Sequence, residues 1–269
     1  MLIETGTITV TLESPLHLAS GAADVNVDAD IVHDALGLPY FPARRLRGLL
    51  YESAVEVAEM GTAAGVADAF AAGKTVEALF HHDGGDVHLM IDDLHLPEQE
   101  TIAEDWEKIF DAYAGAVRPE DVLAAYTGLR MQTALDEESR ADDATLRTIR
   151  VLLPNAGDGK LSFTGTVAIE NGTPAHWRAL YWAAKNLRRA GGHRWRGFGS
   201  IRCELVPPAA CRDAIQKAEA QAQQLASPGA QQREKAKEAT KGEKDAKRAK
   251  YLAKQGVPGK QKSKKKRRR

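Results

Sequence analysis

Two cysteines, Cys203 and Cys211, are all that the 269 residues contain. Two thiols cannot staple a chain of this length, and a Cys-only zinc site needs more ligands, so a reducing compartment is expected. No run of ~18 apolar residues occurs, and residues 1–16, MLIETGTITVTLESPL, hold no basic segment followed by an apolar one. Neither a membrane span nor a secretory leader is predicted; a soluble protein of the cytoplasm with no membrane partner is expected. A Gly-x-Ser-x-Gly elbow and a Cys-centred nucleophile arrangement are both missing. AAGKT at 71–75 falls short of a phosphate loop because Asp68 stands where the first glycine is needed. No nucleotide cofactor is expected, and no internal repeat is evident.

Net charge is absent too, since 37 Lys and Arg meet 37 Asp and Glu. The balance is not uniform. Residues 1–211 carry 18 basic and 31 acidic side chains, a net of −13, and the last 58 residues carry the compensating +13. An acidic body with a basic tail points to a polyanion partner in a way that a uniformly neutral chain does not. At 43% hydrophobic and 28% charged, the composition is that of a globular protein of one or two domains with a real core.

The body reads as strands and helices in turn. IETGTITVTLE, residues 3–13, alternates apolar and polar side chains with many β-branched, which predicts a first strand with one apolar face. A loop punctuated by Gly and Pro runs to Pro42, with a short strand at Ala29–His33. Leu46, Leu49, Leu50, Ala54 and Val57 then recur at helical spacing behind Pro42, predicting a helix over Ala43–Met60. Residues 61–85 are Ala-rich and partly helical, DVHLMIDDLHL at 86–96 alternates as a strand, and 101–115 and 119–127 are predicted helices separated at Arg118-Pro119. Gly128–Asn155 reads as two short arms around an exposed, acidic insertion. KLSFTGTVAIE at 160–170 is a half-buried strand. Ala175–Ala190 is a helix with start signals at Asn171, Thr173 and Pro174 and a stop at Gly191-Gly192, and Ser200–Val206 is a last strand. This order is that of a ferredoxin-like split βαβ fold in the α+β class, occupying 1–208 with insertions at about 61–128 and 133–150. From 209 the sequence turns to Ala, Gln, Lys, Glu and Gly, so 209–269 is predicted to be a low-complexity basic tail, disordered or transiently helical.

Four segments carry chemistry. In GLPYFPARRLRGLL, Arg44, Arg45 and Arg47 crowd the first turn of the predicted helix, where the dipole favours acids. A bound polyanion resolves that conflict; a solvated basic face is the plainer alternative. In RRAGGHRWRGFGS, residues 188–200, glycines permit close backbone approach, Arg188, Arg189, Arg194 and Arg196 supply charge, and Trp195 or Phe198 offers a ring for stacking. That combination is more specific to nucleic acid than a bare tight turn. The loop GAADVNVDADIVHDALG gathers Asp24, Asp28, Asp30 and Asp34, carboxylates suited to hold Mg²⁺ or to act as a base on a ribose hydroxyl, although alone such a loop is more often only solvated. HHDGGDVH, with His81, His82, Asp83, Asp86 and His88, has the residue types of a metal site, but adjacent histidines do not both face inward on a regular element.

SPLHLASG after the first strand, then DADIVHDALGLPYFP and LRGLL, then TALDEESRADDATLRTIRVLLP, and finally RWRGFGS before the last strand resemble, in that order, the RAMP superfamily of CRISPR-associated proteins. The likeness covers about residues 1–206 and is greatest to the backbone subunits of type III effector complexes. It implies a ferredoxin-like, RRM-type core with helical and thumb-like insertions, packed beside copies or relatives along a CRISPR RNA in antiviral defence. The family's RNA-facing positions fall on Arg44, Arg45 and Arg47 and on Gly191, Gly192, His193, Arg194, Trp195, Arg196, Gly197 and Gly199. The thumb, which displaces a base at regular intervals, falls on about Thr133–Arg150, with Thr133, Leu135, Arg147 and Arg150 in its arms.

Target-RNA cleavage in active backbone subunits depends on an aspartate that falls on Asp28, with Asp30 the neighbouring alternative. The family chemistry is metal-dependent attack of a ribose 2′-hydroxyl on the adjacent phosphate, an endoribonuclease reaction. It implies Mg²⁺ or another divalent metal, with Asp28 as ligand or as base. The family's Pro-Gly-Ser or Pro-Gly-Thr before the helix is here Pro42-Ala43-Arg44, exchanging backbone-amide contacts for guanidinium contacts. The implied partners are CRISPR RNA, target RNA, other effector subunits and copies of the chain itself. Three alternatives stand beside this: a catalytically silent structural subunit, a metal-independent RNA-processing endonuclease using His33 or His193, and a metal-dependent hydrolase centred on His81 and His82.

The tail carries its own test. Deleting residues 230–269 is expected to flatten the salt dependence of RNA binding, because each phosphate neutralised by Lys or Arg adds to the slope of log K against log salt. An unchanged slope would count against the tail as an RNA tether.

Overall fold

The structure is a computed structural model; it describes residues 3–23, 26–66, 70–81, 85–113, 115–134, 138, 140, 145–156 and 159–220. The chain runs β1 (Ile3–Leu12), α1 (Ala43–Ala63), α2 (Gly73–Phe80), β2 (His88–Ile91), α3 (Gln99–Ala112), α4 (Pro119–Tyr126), β3 (Thr127–Gln132) and β4 (Arg147–Leu152). It continues through the short pair β5 (Asn155–Ala156) and β6 (Gly159–Lys160) to β7 (Ser162–Glu170), α5 (Pro174–Asn186) and β8 (Ile201–Val206). A further helix, α6, covers residues 209–220.

Four strands form one antiparallel sheet in the order β2-β7-β1-β8. α1 links β1 to β2 with β7 lying between them, and α5 links β7 to β8 with β1 lying between them. The result is two interleaved β-α-β units. The period-2 pattern explains which face is which: Ile8, Val10 and Leu12 of β1, Phe163, Val167 and Ile169 of β7, and Ile201, Cys203 and Leu205 of β8 are buried. Both helices cover that face, α1 through Leu46, Leu50 and Ala54, and α5 through Trp177, Leu180 and Ala184. Ser53 sits in the helix–helix seam and donates its hydroxyl to the Ala183 carbonyl at 2.8 Å, so its burial leaves no orphaned donor.

The start signals work as expected at α5, but the helix ends at Asn186, short of the expected Ala190: Leu187 is extended, and the Ala190 N–H pairs with the Gly199 carbonyl instead of continuing the helix. Pro174 occupies the first turn, and the Thr173 N–H donates to His176 Nδ1 at 3.0 Å. That ring nitrogen must be unprotonated to accept, and burial accordingly pushes the His176 pKa down. Both cysteines are free and buried. Burial, with Glu204 adding to it, pushes the Cys203 thiol up to about 12. Burial and then Glu4 push Cys211 up to about 11, so neither is a thiolate near neutral pH.

Several boundaries differ from the expected ones for physical reasons. α1 runs one turn further, to Ala63. The strand expected over 86–96 pairs in the sheet only at His88–Ile91. Beyond it Leu94 bridges Phe41 and His95 bridges Thr164, while the Asp93 carboxylate accepts the Ala43 N–H at 2.6 Å and so caps α1. Because β2 is a sheet strand, the interval 61–128 is not an insertion throughout. The two arms expected around the acidic insertion are the hairpin β3–β4, which registers Thr127 with Leu152 and Gln132 with Arg147. The tail expected from 209 begins later: Cys211, Ile215 and Ala218 recur at helical spacing in α6 and are buried. The rest of that tail, residues 221–269, lies outside the described residues.

Burial of Ile215 alone is worth ~1.5–3 kcal/mol. A chain ending at 208 is therefore expected to melt several degrees below one ending at 220. Equal melting temperatures would show that α6 adds nothing to the fold.

Candidate nucleic-acid interface

Glycine chemistry builds the turn between α5 and β8. Gly191 has φ +73° and a Cβ there would lie 2.5 Å from the His17 carbonyl oxygen; Gly199 has φ +77° and a Cβ there would lie 2.0 Å from that of Ala190. Only glycine fits either place. The turn is then pinned to the loop after β1, with the Gly192 N–H donating to the His17 carbonyl at 2.9 Å and the Gly199 N–H to the Pro15 carbonyl at 2.8 Å. Between the pins, Arg194–Arg196 forms a short 3₁₀ turn, with Arg194 and Arg196 exposed. Arg189 ties the turn inward by donating to the Arg194 carbonyl. Phe198 is half-buried, set edge-on to the His193 ring. The side chain of Trp195 lies outside the described atoms.

The arginines of α1 face that turn. Arg44 and Arg45, with Glu52 the one carboxylate beside them, line a cleft of about 370 Å³ together with His17, Ala19, Gly191 and Gly192. Two basic segments far apart in sequence thus share one concave surface. Arg45 donates to the Ala19 carbonyl. Arg47 turns to the other side of the helix and donates to the Phe80 carbonyl at 3.0 Å. Arg44 is exposed, with no hydrogen bond or ion pair among the described residues. With the first amide of α1 taken by Asp93, guanidinium groups rather than that helix terminus are what this end offers an anion.

The two candidate aspartates have different surroundings. Asp30 Oδ1 pairs with Arg150 Nε at 2.9 Å, with side chains only 15% and 16% exposed, and also accepts the Ile31 N–H at 2.7 Å. Arg150 reaches on to Thr127 Oγ1 at 3.3 Å. Asp28 is exposed and lies along β4: its Oδ2 accepts the Thr148 N–H at 2.6 Å and its own N–H donates to the Thr148 carbonyl at 2.9 Å. Asp28 Oδ1 has no partner among the described residues. Asp34 is also spoken for, accepting the Leu36 and Leu38 N–H groups at 2.9 Å each. Asp24 lies outside the described residues.

His17 joins these parts, and sequence reasoning had not singled it out as a site residue. It is buried, and its Nδ1 lies 2.7 Å from the Arg150 carbonyl oxygen. A carbonyl only accepts, so Nδ1 carries the proton. The His193 ring stands 5.8 Å away, and its pKa is lowered by burial first, then by His17 and Arg196. The other histidine of interest, His33, places Nδ1 against the Asp34 carbonyl at 2.8 Å.

The hairpin β3–β4 leaves Leu129, Met131 and Leu146 largely exposed, an apolar surface with no cover among the described residues. Thr133 and Thr145 meet through their hydroxyls at 2.9 Å just beyond the last strand pair, Gln132 with Arg147, where the acidic insertion begins. Arg147 is exposed, whereas Arg150 is committed to Asp30; Leu135 lies outside the described residues. Of the HHDGGDVH segment, His81 Nε2 meets the Tyr51 hydroxyl at 3.0 Å, Asp86 gives its carbonyl to Asn171 Nδ2, and His82 and Asp83 lie outside the described residues. Among the described residues no three His, Cys, Asp or Glu side chains cluster as metal ligands. The donor set on offer is the single carboxylate of Asp28, which fits a Mg²⁺ ion that takes its other ligands from phosphate oxygens and water.

The outward face of the sheet is rich in hydroxyl side chains, with Ile3, Met90 and Val206 exposed among them. It presents Thr5, Thr7, Thr9 and Thr11 of β1 opposite Ala168, Thr166, Thr164 and Ser162 of β7, with Arg202, Glu204 and Val206 of β8 beside them. His88 and Met90 of β2 share that face, and His95, which bridges Thr164, is stacked on Tyr40 at 5.9 Å beside it.

Comparison with known proteins agrees with the fold. The RAMP superfamily family model matches residues 9–202. A chain from the cryo-EM structure of the type III-B Cmr-beta complex bound to cognate target RNA is similar at 12% identity and TM-score 0.50, covering 80% of this chain and 99% of that one. A chain of the apo Cmr-beta complex is similar at 11% identity and TM-score 0.50, covering 76% and 97%. No curated protein matches.

The two aspartates are separable by stability. Asp30→Ala leaves Arg150 in a mostly buried place without its partner and is expected to cost about 3 kcal/mol. Asp28→Ala, at an exposed site, is expected to cost no more than about 1 kcal/mol. Denaturant unfolding of both variants measures this, and equal losses would mean that the Arg150 pair does not hold the loop.

Proposed function

The chain belongs to the RAMP superfamily, and from that premise we propose that it is an RNA-binding subunit of a type III CRISPR effector complex, built on a ferredoxin-like, RRM-type core. The observation that carries this is the shared cleft in which Arg44 and Arg45 of α1 meet Gly191 and Gly192 of the glycine turn. Guanidinium groups and glycine backbone are the chemistry that holds a phosphate chain without reading its sequence, as a subunit serving many guides must. The partners are CRISPR RNA, target RNA, neighbouring effector subunits and copies of the chain, acting in the cytoplasm. Among the described residues no helix is long and apolar enough to cross a membrane.

Asp28 is the residue placed to act on target RNA. Its Oδ1 is free while Asp30 is neutralised by Arg150, which favours Asp28 over its neighbour. Met131 registers with Thr148, whose N–H Asp28 holds, so the exposed apolar hairpin and the carboxylate flank one residue of β4. Strand spacing puts them ~10 Å apart. A base displaced by Met131 and Leu129 would leave its ribose and phosphate near Asp28. A divalent metal bound there would polarise the phosphate and lower the pKa of a hydroxyl. Asp28 would hold that ion or take the proton from the 2′-hydroxyl, and Arg147 lies exposed nearby on the same strand as a further positive charge.

The assembled complex with complementary RNA and Mg²⁺ tests this. Cleavage is expected at regular intervals, lost in EDTA and reduced roughly 10²-fold or more by Asp28→Ala with RNA binding retained. Full-rate cleavage by the variant removes Asp28 from the mechanism, binding without cleavage by the unaltered chain leaves a silent structural subunit, and cleavage in EDTA moves the chemistry to His33 or His193.

A further inference from the structure

We propose that the RNA strand crosses α1 directly over Gly48, passing from the glycine-turn cleft into a second cleft where Tyr51 and His81 receive a nucleotide. This rests on the RNA-binding reading above and adds a path and a subsite to it.

Gly48 is exposed in the interior of α1, where glycine is a poor helix former. The folded chain gives no reason for it. A Cβ at Gly48 would meet nothing within 4 Å, in contrast to Gly191 and Gly199, whose missing side chains are required by their own neighbours. A residue that weakens its helix and is not demanded from inside is explained if the bare backbone is needed from outside, by something that lies on it.

The surroundings say what that is. Arg44 and Gly48 line the 370 Å³ cleft with Gly191 and Gly192, and the same two residues line a cleft of about 230 Å³ with Arg47, Tyr51, Phe80 and His81. Gly48 is therefore the low pass between two concave surfaces. On the far side Tyr51 packs against Phe80 at 5.6 Å and meets His81 edge-on at 5.1 Å, with its hydroxyl 3.0 Å from His81 Nε2. The His81 ring is exposed, and Arg47 uses only Nη2 on the Phe80 carbonyl. Rings for a base and guanidinium for phosphate stand together there.

Charge decides the direction. The next turns of α1 carry Glu52, Glu56 and Glu59 on exposed positions; Glu52 borders the glycine-turn cleft, and Glu52 and Glu56 line a third cleft of about 480 Å³ beside Arg188, Arg189 and Arg194. The cleft across the helix is lined by Arg44 and Arg47 and by no carboxylate, so a phosphate chain leaving the glycine turn is favoured across α1 toward Tyr51 rather than down it past Glu52, Glu56 and Glu59.

Fluorescence anisotropy of the full chain with a labelled single-stranded RNA of mixed sequence, alongside thermal melting, tests the path. Gly48→Ala is expected to melt about 2–4 °C higher than the unaltered chain yet to bind RNA more weakly. Gly48→Leu, folded by the same melting criterion, is expected to bind at least about tenfold more weakly, and His81→Ala and Tyr51→Ala about fivefold or more. Binding by Gly48→Leu within twofold of the unaltered chain overturns the crossing while leaving the RNA-binding reading intact. Full binding by both ring variants overturns the second subsite. Failure of the unaltered chain to bind RNA at all falls on the proposed function instead.

Discussion

Arg150 and Asp30 form an ion pair that is almost out of water, and three segments distant in the sequence hang from it. The carboxylate side holds the loop after β1, the guanidinium side holds the β3–β4 hairpin, and the Arg150 carbonyl takes the proton of His17, whose own carbonyl takes the Gly192 N–H. Removing one partner of such a pair is costly because the other stays buried and charged. Its value here lies in placement. The pair lays Asp28 along β4, where Ala29 bridges Ile149 in parallel, and His17 sets the glycine turn against the same loop. Exposed Asp28 and the glycine turn then have fixed positions although neither is in regular structure that would fix it.

The same constraint explains how an acidic body gathers basic side chains in one place. The excess of carboxylates is spread over the helices and loops, while Arg44 and Arg45 meet Gly191 and Gly192 because α1 and the turn before β8 flank one stretch, Pro15 to Ala19, and Arg194 and Arg196 stand exposed on that turn. A local positive field in a concave place matters more to a bound phosphate than the net charge of the domain. Asp93 occupies the first amide of α1 beside these arginines.

Much of this was legible in the sequence because period and burial agree there. β1, β7 and β8 alternate strictly, and α1 and α5 have one apolar stripe each, so their existence and nearly their ends follow from spacing. β2 was less legible, since Asp93, Leu94 and His95 continue its alternation but serve α1 and the loops instead. α6 was hidden because Cys211, Ile215 and Ala218 are a sparse stripe in a run of polar residues. At the site, the types of residue were visible and their partners were not. Nothing in DADIVHD says that Asp30 is matched by an arginine 120 residues away while Asp28 is left free, and nothing in SPLHLASG says that His17 is buried at the junction of three segments. Long-range pairing of that kind is settled by packing, not by local pattern.

The central claim is that one RNA strand is held jointly by the start of α1 and by the glycine turn. Photo-cross-linking of the full chain to RNA containing 4-thiouridine, with the attached peptides mapped by mass spectrometry, examines it most directly. The account predicts cross-links in both the 43–51 and the 188–200 segments, lost together when competing RNA is added. Cross-links confined to the outer face of the sheet, at β1 and β7, would contradict it.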